Sequence, residues 1–261
     1  MKPKRKYIEL RGQQIWLSHR KSRGTALVLL HGGLSNTDSI EKYLFPAFKG
    51  FEYFAYDRAG HGRSPDIKGS FHFEFQLQEA IAFLEDVVKR PAHIVGWSDG
   101  GIISLLLAIH RPDLVKSIIP IGANYHYKGI WPNLFTFTEP DENERLKYAT
   151  TSPDGVETLV PKIKKMFRIW KREPQLTKRD LKKIKCPTLV MAGDDDSILH
   201  QHTIEIFENI PNAQLAILPG TSHALMKEKP KLTQSLIRDF LKNPTYPITK
   251  MPVRRTPGEV E

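Results

Sequence analysis

The stretch IVGWSDGG, residues 94–101, decides the fold. Ser98 stands two residues after Gly96 and two before Gly100, at the end of an apolar run. Directly behind it GIISLLLAIH (101–110) is apolar almost all round. That segment stops before Arg111-Pro112, as a helix before proline should. A buried strand that turns sharply into a buried helix, with a serine at the turn, is the context of a nucleophile elbow. The reason is steric. The serine is held in a strained turn so that its Oγ projects above the sheet. The residues two before and two after it then approach closely, and only glycine fits. The helix starting here also aims its first amides at the site and favours negative charge there.

Outward from this point the chain alternates. TALVLLHGG (25–33), FEYFAYDRAG (51–60), AHIVGWS (92–98), VKSIIPIGA (115–123), CPTLVMAGD (186–194) and AQLAILPG (213–220) are short apolar runs. Such runs fit strands buried on both faces of a parallel sheet. Between them lie helical stripes. Leu77, Ala80, Ile81, Leu84, Val87 and Val88 form one before Pro91, and Leu232, Leu236, Ile237, Phe240 and Leu241 form the last. KYIEL and QQIWLS, around Arg11-Gly12, predict an antiparallel edge hairpin. Pro120 inside its run lacks the N–H of an interior strand, so it is expected near a strand end or a bulge. The alternation breaks over 124–185, where only a helical stripe from Val156 to Trp170 is seen. The expectation is an α/β fold: a mostly parallel central sheet, helices on both faces, and a helical cap inserted after the sixth strand. Residues 1–123 and 186–241 are expected to form the core, 124–185 the cap and 242–261 a flexible tail.

A serine needs a base, and the base needs a carboxylate to orient it. In this architecture the chain order is serine, acid, histidine, each at a strand's C-terminal end. AGDDDSILH and PGTSHALM follow the fifth and sixth runs. Position therefore selects His223 among the ten histidines and Asp196 among three consecutive aspartates. A tetrahedral intermediate needs two N–H donors. These are assigned to the backbone of Asp99 and of Gly33 in HGGL, with Leu34 as the alternative to Gly33. The Asp99 side chain, next to the nucleophile, either faces the acyl pocket and selects a cation or turns away. Trp97, Trp131, Phe135, Phe167 and Trp170 are candidates for the pocket wall. No metal or cofactor is required.

HGG (31–33), DRAGHGRS (57–64), GWSDGG (96–101), GDDD (193–196) and GTSH (220–223) together resemble the α/β-hydrolase superfamily. GWSDGG followed by a short helical cap looks most like its valacyclovirase-like (biphenyl-hydrolase-like) serine carboxylesterases. The resemblance implies a serine hydrolase of small esters. A lactonase on the same residues and a non-catalytic ligand-binding member are the alternatives. In DRAGHGRS it implies a structural turn role for Arg58 and His61.

Composition sets the outer bounds. The chain has 261 residues, 40% of them hydrophobic, enough for one sizeable core. Cys186 is the only cysteine, so there is no disulfide framework. The formal charge of +10 concentrates in 162–185 and at the two ends, and is expected to sit on solvated helix faces. No zinc-finger or RNP-like motif accompanies it, so no nucleic-acid partner is expected. No run approaches the roughly 18 apolar residues that span a bilayer. The basic start has no apolar region behind it, so a soluble, cytoplasmic protein is expected.

Overall fold

Strands in the middle of the sheet are apolar on both sides, and each side serves a different core. In β3 (Ala26–Leu30), Ala26, Val28 and Leu30 join one buried cluster while Leu27 and Leu29 join the other. β4 (Glu52–Asp57), β5 (Ala92–Trp97) and β6 (Val115–Ile121) divide in the same way; Ile94 and Ile118 face one core, Val95, Ile119 and Ile121 the other. Side chains alternate across a strand, so a continuous apolar run is what a sheet covered on both faces requires.

The computed structural model describes residues 2–132, 134–245 and 249–252. Eight strands lie in the order β1-β2-β4-β3-β5-β6-β7-β8. β1 (Lys4–Leu10) and β2 (Gln13–Arg20) form the expected hairpin, and β2 runs antiparallel to β4. All later pairings are parallel, out to β7 (Thr188–Asp195) and β8 (Ala213–Ser222). One face carries α1 (Thr37–Leu44), and the other carries α2 (Phe73–Ala82) and the buried α3 (Asp99–His110). The chain between β6 and β7 holds α4 (Glu142–Thr151), α5 (Leu159–Trp170) and the short α6 (Lys178–Leu181), the cap inserted after the sixth strand. α7 (His200–Asn209) joins the face of α3, while α8 (Leu225–Glu228) and α9 (Pro230–Lys242) join that of α1. α9 carries one residue into the expected tail, of which 246–248 and 253–261 lie outside the described residues.

Three local features refine the sequence reading. The stripe from Leu77 to Val88 is not one regular helix. Residues Phe83–Val88 form a π turn, closed by left-handed Lys89 (φ 61°), whose N–H donates to Leu84 O at 2.7 Å. Pro120 is the penultimate residue of β6, in the sheet interior. The β6–β7 register holds at Ile118↔Thr188 and Ile121↔Met191, and the missing N–H falls between those points. The basic segment is mostly exposed, as expected, but Lys162 is buried. Its Nζ meets Asp154 Oδ2 at 3.1 Å and Tyr148 Oη at 2.7 Å, which offsets the cost of burying the charge.

Candidate active site

Ser98 joins β5 to α3 with φ 55° and ψ −119°, outside the regions a serine ordinarily occupies. The neighbouring glycines make this conformation accessible. A Cβ on Gly96 would stand 2.1 Å from Gly100 O, and a Cβ on Gly100 would stand 2.2 Å from Leu30 O. The turn is held from below: Ser98 N–H donates to Ile121 O at 2.8 Å, and Ser98 O accepts from Ile102 N–H at 3.0 Å.

Asp196 directly follows β7 and His223 directly follows β8, strands that are neighbours in the sheet. His223 Nδ1 donates to Asp196 Oδ1 at 2.7 Å. The carboxylate also accepts Ile198 N–H at 3.0 Å and Gly193 N–H at 3.3 Å. Burial alone would raise the pKa of Asp196; His223 and the two amides outweigh it and hold the group below its ordinary value. Asp194 and Asp195 are the last two residues of β7. Asp194 accepts from Gly220 N–H at 2.8 Å and Thr221 N–H at 2.9 Å, so it braces the loop that carries His223. Gly122 lies beneath the dyad with φ 56°, and a Cβ there would be 2.9 Å from the imidazole. Gly122→Ala is expected to displace His223 and lower kcat/KM by about tenfold. The left-handed backbone alone should cost about 1–2 kcal/mol in a urea melt. An unchanged kcat/KM would show that the imidazole position is not set from below.

Gly32, Gly33 and Leu34 follow β3. Leu34 has φ 50°, a strained value for a leucine and one that no sequence pattern announced. Gly33 and Leu34 N–H groups donate to no described residue. Arg58, 1% exposed, holds this loop from the inside. Its guanidinium donates to His31 O and, at 3.1 Å, to Gly32 O, while its backbone N–H donates to His31 Nε2 at 3.1 Å. The same guanidinium is 3.9 Å from Asp99 Oδ2. The expected structural role of Arg58 thus extends to fixing the loop beside Ser98.

Asp99 is 2% exposed. Its Oδ1 accepts Trp170 Nε1–H of the cap at 2.9 Å, and its Oδ2 has no hydrogen-bond partner. Burial pushes its pKa up to about 6 against the opposing pull of Arg58, Trp170 and His223. The two alternatives for this side chain both hold in part: it bonds locally and it faces the pocket.

Ser98, His223, Asp99, Gly33, Trp97, Phe135 and Trp170 line one cavity of about 190 Å³. Two residues expected in the wall are elsewhere. Trp131 is 51% exposed. Phe167 packs behind the wall, its ring 5.3 Å from Phe135 and 5.7 Å from Trp170. Ile130, Leu134, Ser197 and Ile198 complete the wall and were not anticipated. Asn124, also lining it, turns its Nδ2 to His126 O at 3.1 Å. Among the described residues no group of three or more His, Cys, Asp or Glu side chains could hold a metal ion. No helix of the described residues is long and apolar enough to cross a membrane.

The chain is similar over most of its length to known proteins. The uncharacterized hydrolase YugF of Bacillus subtilis is 26% identical, over 88% of this chain and 95% of its own. The serine hydrolase BPHL of Mus musculus is 24% identical, over 83% of this chain and 79% of its own. Among solved structures, the enol-lactonase of Burkholderia xenovorans superposes with a TM-score of 0.74 at 18% identity, covering 91% of this chain and all of that one. The profile of the Alpha/beta hydrolase family matches residues 27–233, around the strained serine, the buried sheet and the two strand-end loops, and the chain belongs to that family.

Proposed function

We propose that this protein is a serine hydrolase that cleaves small carboxylic esters through an acyl-enzyme. The observation that carries the reading is Ser98 in its strained turn, sharing a cavity with a His223 whose Nδ1 is held by buried Asp196. With Nδ1 donating to Asp196, Nε2 is the ring nitrogen left to take a proton. In the proposed reaction Ser98 Oγ attacks the ester carbonyl and its proton passes to His223. The charge on the former carbonyl oxygen is met by Asp99 N–H and by Gly33 N–H, with Leu34 N–H as the alternative second donor. The intermediate collapses, the C–O bond breaks, and the alcohol leaves with the proton from His223. Water then repeats the sequence on the acyl-enzyme. A panel of esters, lactones and amides tests the reaction type. Ester turnover lost in Ser98→Ala, with a fluorophosphonate labelling Ser98, is the expected result. A folded protein that neither labels nor turns over would instead be a binding member of the family.

The acyl side is small and carries a buried carboxylate. A cavity of about 190 Å³ has the liquid volume of about six waters. Asp99 Oδ2, which accepts no hydrogen bond and has the Arg58 guanidinium 3.9 Å away, supports a cationic acyl group, such as an α-amino acyl group. The charge on Asp99 appears as pH rises through about 6. The ratio of kcat/KM for an amino-acid ester to that for a neutral ester of equal size should therefore climb between pH 5 and 7. Asp99→Asn should flatten the climb; a ratio that ignores both pH and this substitution would remove Asp99 from substrate selection.

A further inference from the structure

A second and larger cavity adjoins the first. It has about 770 Å³ and shares Gly33 and Trp97 with the Ser98 cavity, so the two meet beside the nucleophile. Its walls come from α1, from cap helices α4 and α5, and from α8. Ser98 lines the small cavity and not the large one. The acyl group stays bonded to Ser98 after the alcohol leaves, which gives the small cavity to the acyl group and the large one to the alcohol.

The charges around the large cavity are unequal. Asp38 is answered by Arg5 at 3.0 Å and Arg63 at 2.8 Å. Glu144 accepts Asp141 N–H at 2.9 Å in the capping box of α4. Lys162 is answered by Asp154 at 3.1 Å. Lys42, Lys147 and Lys227 also line the cavity, from three different helices, and none of them has an ion-pair partner among the described residues. Lys42 Nζ lies 4.9 Å over the Tyr43 ring, and Lys227 Nζ lies 5.4 Å over Trp97, the residue preceding the nucleophile. Lys42, Lys147 and Lys227 are exposed at the edges of this concave site, and three unanswered ammonium groups there bias its potential to positive. His61, 3% exposed, lines the same space. Its Nδ1 donates to Ala59 O at 3.1 Å, and its Nε2 is buried without a partner, an acceptor suited to a hydroxyl.

We infer that the alcohol side of the substrate carries an anionic group, a phosphate or a carboxylate, together with a free hydroxyl, and that Lys42, Lys147 and Lys227 select it. The inference rests on the ester-hydrolase reading and adds the alcohol to it.

The test uses one short acyl group esterified to glycerol, glycerol 3-phosphate, glycerate or choline. At low ionic strength kcat/KM should be at least about tenfold higher for the two anionic alcohols than for glycerol, mainly through KM, and lowest for choline. The larger gain of the two tells phosphate from carboxylate. Added salt should narrow the difference. The triple variant Lys42→Met, Lys147→Met and Lys227→Met should bring the ratio close to one. A succinyl ester of glycerol, with its carboxylate on the acyl side, should gain nothing; a gain there would overturn the assignment of the cavities. Equal rates for all four alcohols, unchanged in the triple variant, would overturn the inference and leave ester hydrolysis standing. Calorimetry with glycerol 3-phosphate and the Ser98→Ala protein separates the two ideas. Binding that weakens at least tenfold when the lysines are also replaced supports the anion site even if no ester is cleaved. No binding, or binding indifferent to the lysines, overturns it.

Discussion

Ser98→Ala should lower turnover of the best ester by about a thousandfold or more, with the folded state intact. Alanine removes one oxygen and leaves the backbone turn as it is. His223→Ala should cost about as much, and the double variant hardly more, because the two groups act on one proton. Asp196→Asn should cost up to about ten-thousandfold through a different route. An amide in that place can donate to Nδ1, which moves the imidazole proton to Nε2 and takes away the lone pair that Ser98 requires. Initial rates together with urea midpoints for each variant read both quantities. Turnover in Ser98→Ala within tenfold of wild type would end the serine mechanism.

Arg58→Met should strongly lower stability. It leaves the Asp99 carboxylate buried beside no cation and releases the carbonyls of His31 and Gly32. Breaking one side of a buried ion pair costs about 3–5 kcal/mol. For a chain of this size that is a fall in Tm of about 10 °C. Asp99→Asn added to Arg58→Met should recover a good part of the Tm, because the stranded charge is gone. It should not recover kcat, because the loop carrying Gly33 is still unheld. Losses of Tm that simply add in the double variant would show that Arg58 and Asp99 are not coupled. Asp99 has a pH dependence of its own. Its pKa is raised in the folded protein to about 6 from an ordinary 3.8. The folded state therefore holds a proton that the unfolded state gives up, and the stability Asp99 contributes is lost as pH rises from about 4 through about 6. Asp99→Asn should remove that slope.

The sheet was readable in advance because both-sided burial leaves a mark in every strand: Leu27 to Leu30 can be apolar without interruption only between two cores. The positions of Ser98, Asp196 and His223 followed from the same logic, since each ends a strand that the pattern had located. The partners of Arg58 did not yield to it. The resemblance implies a structural turn role, but its four contacts to His31, Gly32 and Asp99 join segments up to 41 residues away. The wall of the small cavity was legible only in part for a related reason. Among the described residues between β6 and β7 there are isolated bridges but no named strand, so nothing in the order of residues tells Leu134 from Trp131, or shows that Trp170 faces inward while Phe167 stands behind it. The π turn at 83–88 was hidden because the apolar stripe tolerates one wider turn without losing its face.

The insertion point of the cap has a consequence for how such a chain can change. Residues 122–187 leave the sheet at β6 and return at the strand next to it, and Gly122 N–H already bonds Met191 O at 2.8 Å where the excursion begins. The ends of the loop are therefore joined whatever lies between them. Doubling the length of a flexible loop closed in this way adds only about 0.6 kcal/mol of closure entropy. The segment over Ser98 can lengthen, shorten or be exchanged whole while Ser98, Asp196 and His223 stay fixed to the strands below. One requirement on such exchange sits beside Ser98 itself. Any replacement must again offer Asp99 a donor where Trp170 now stands, or leave that carboxylate to the substrate alone.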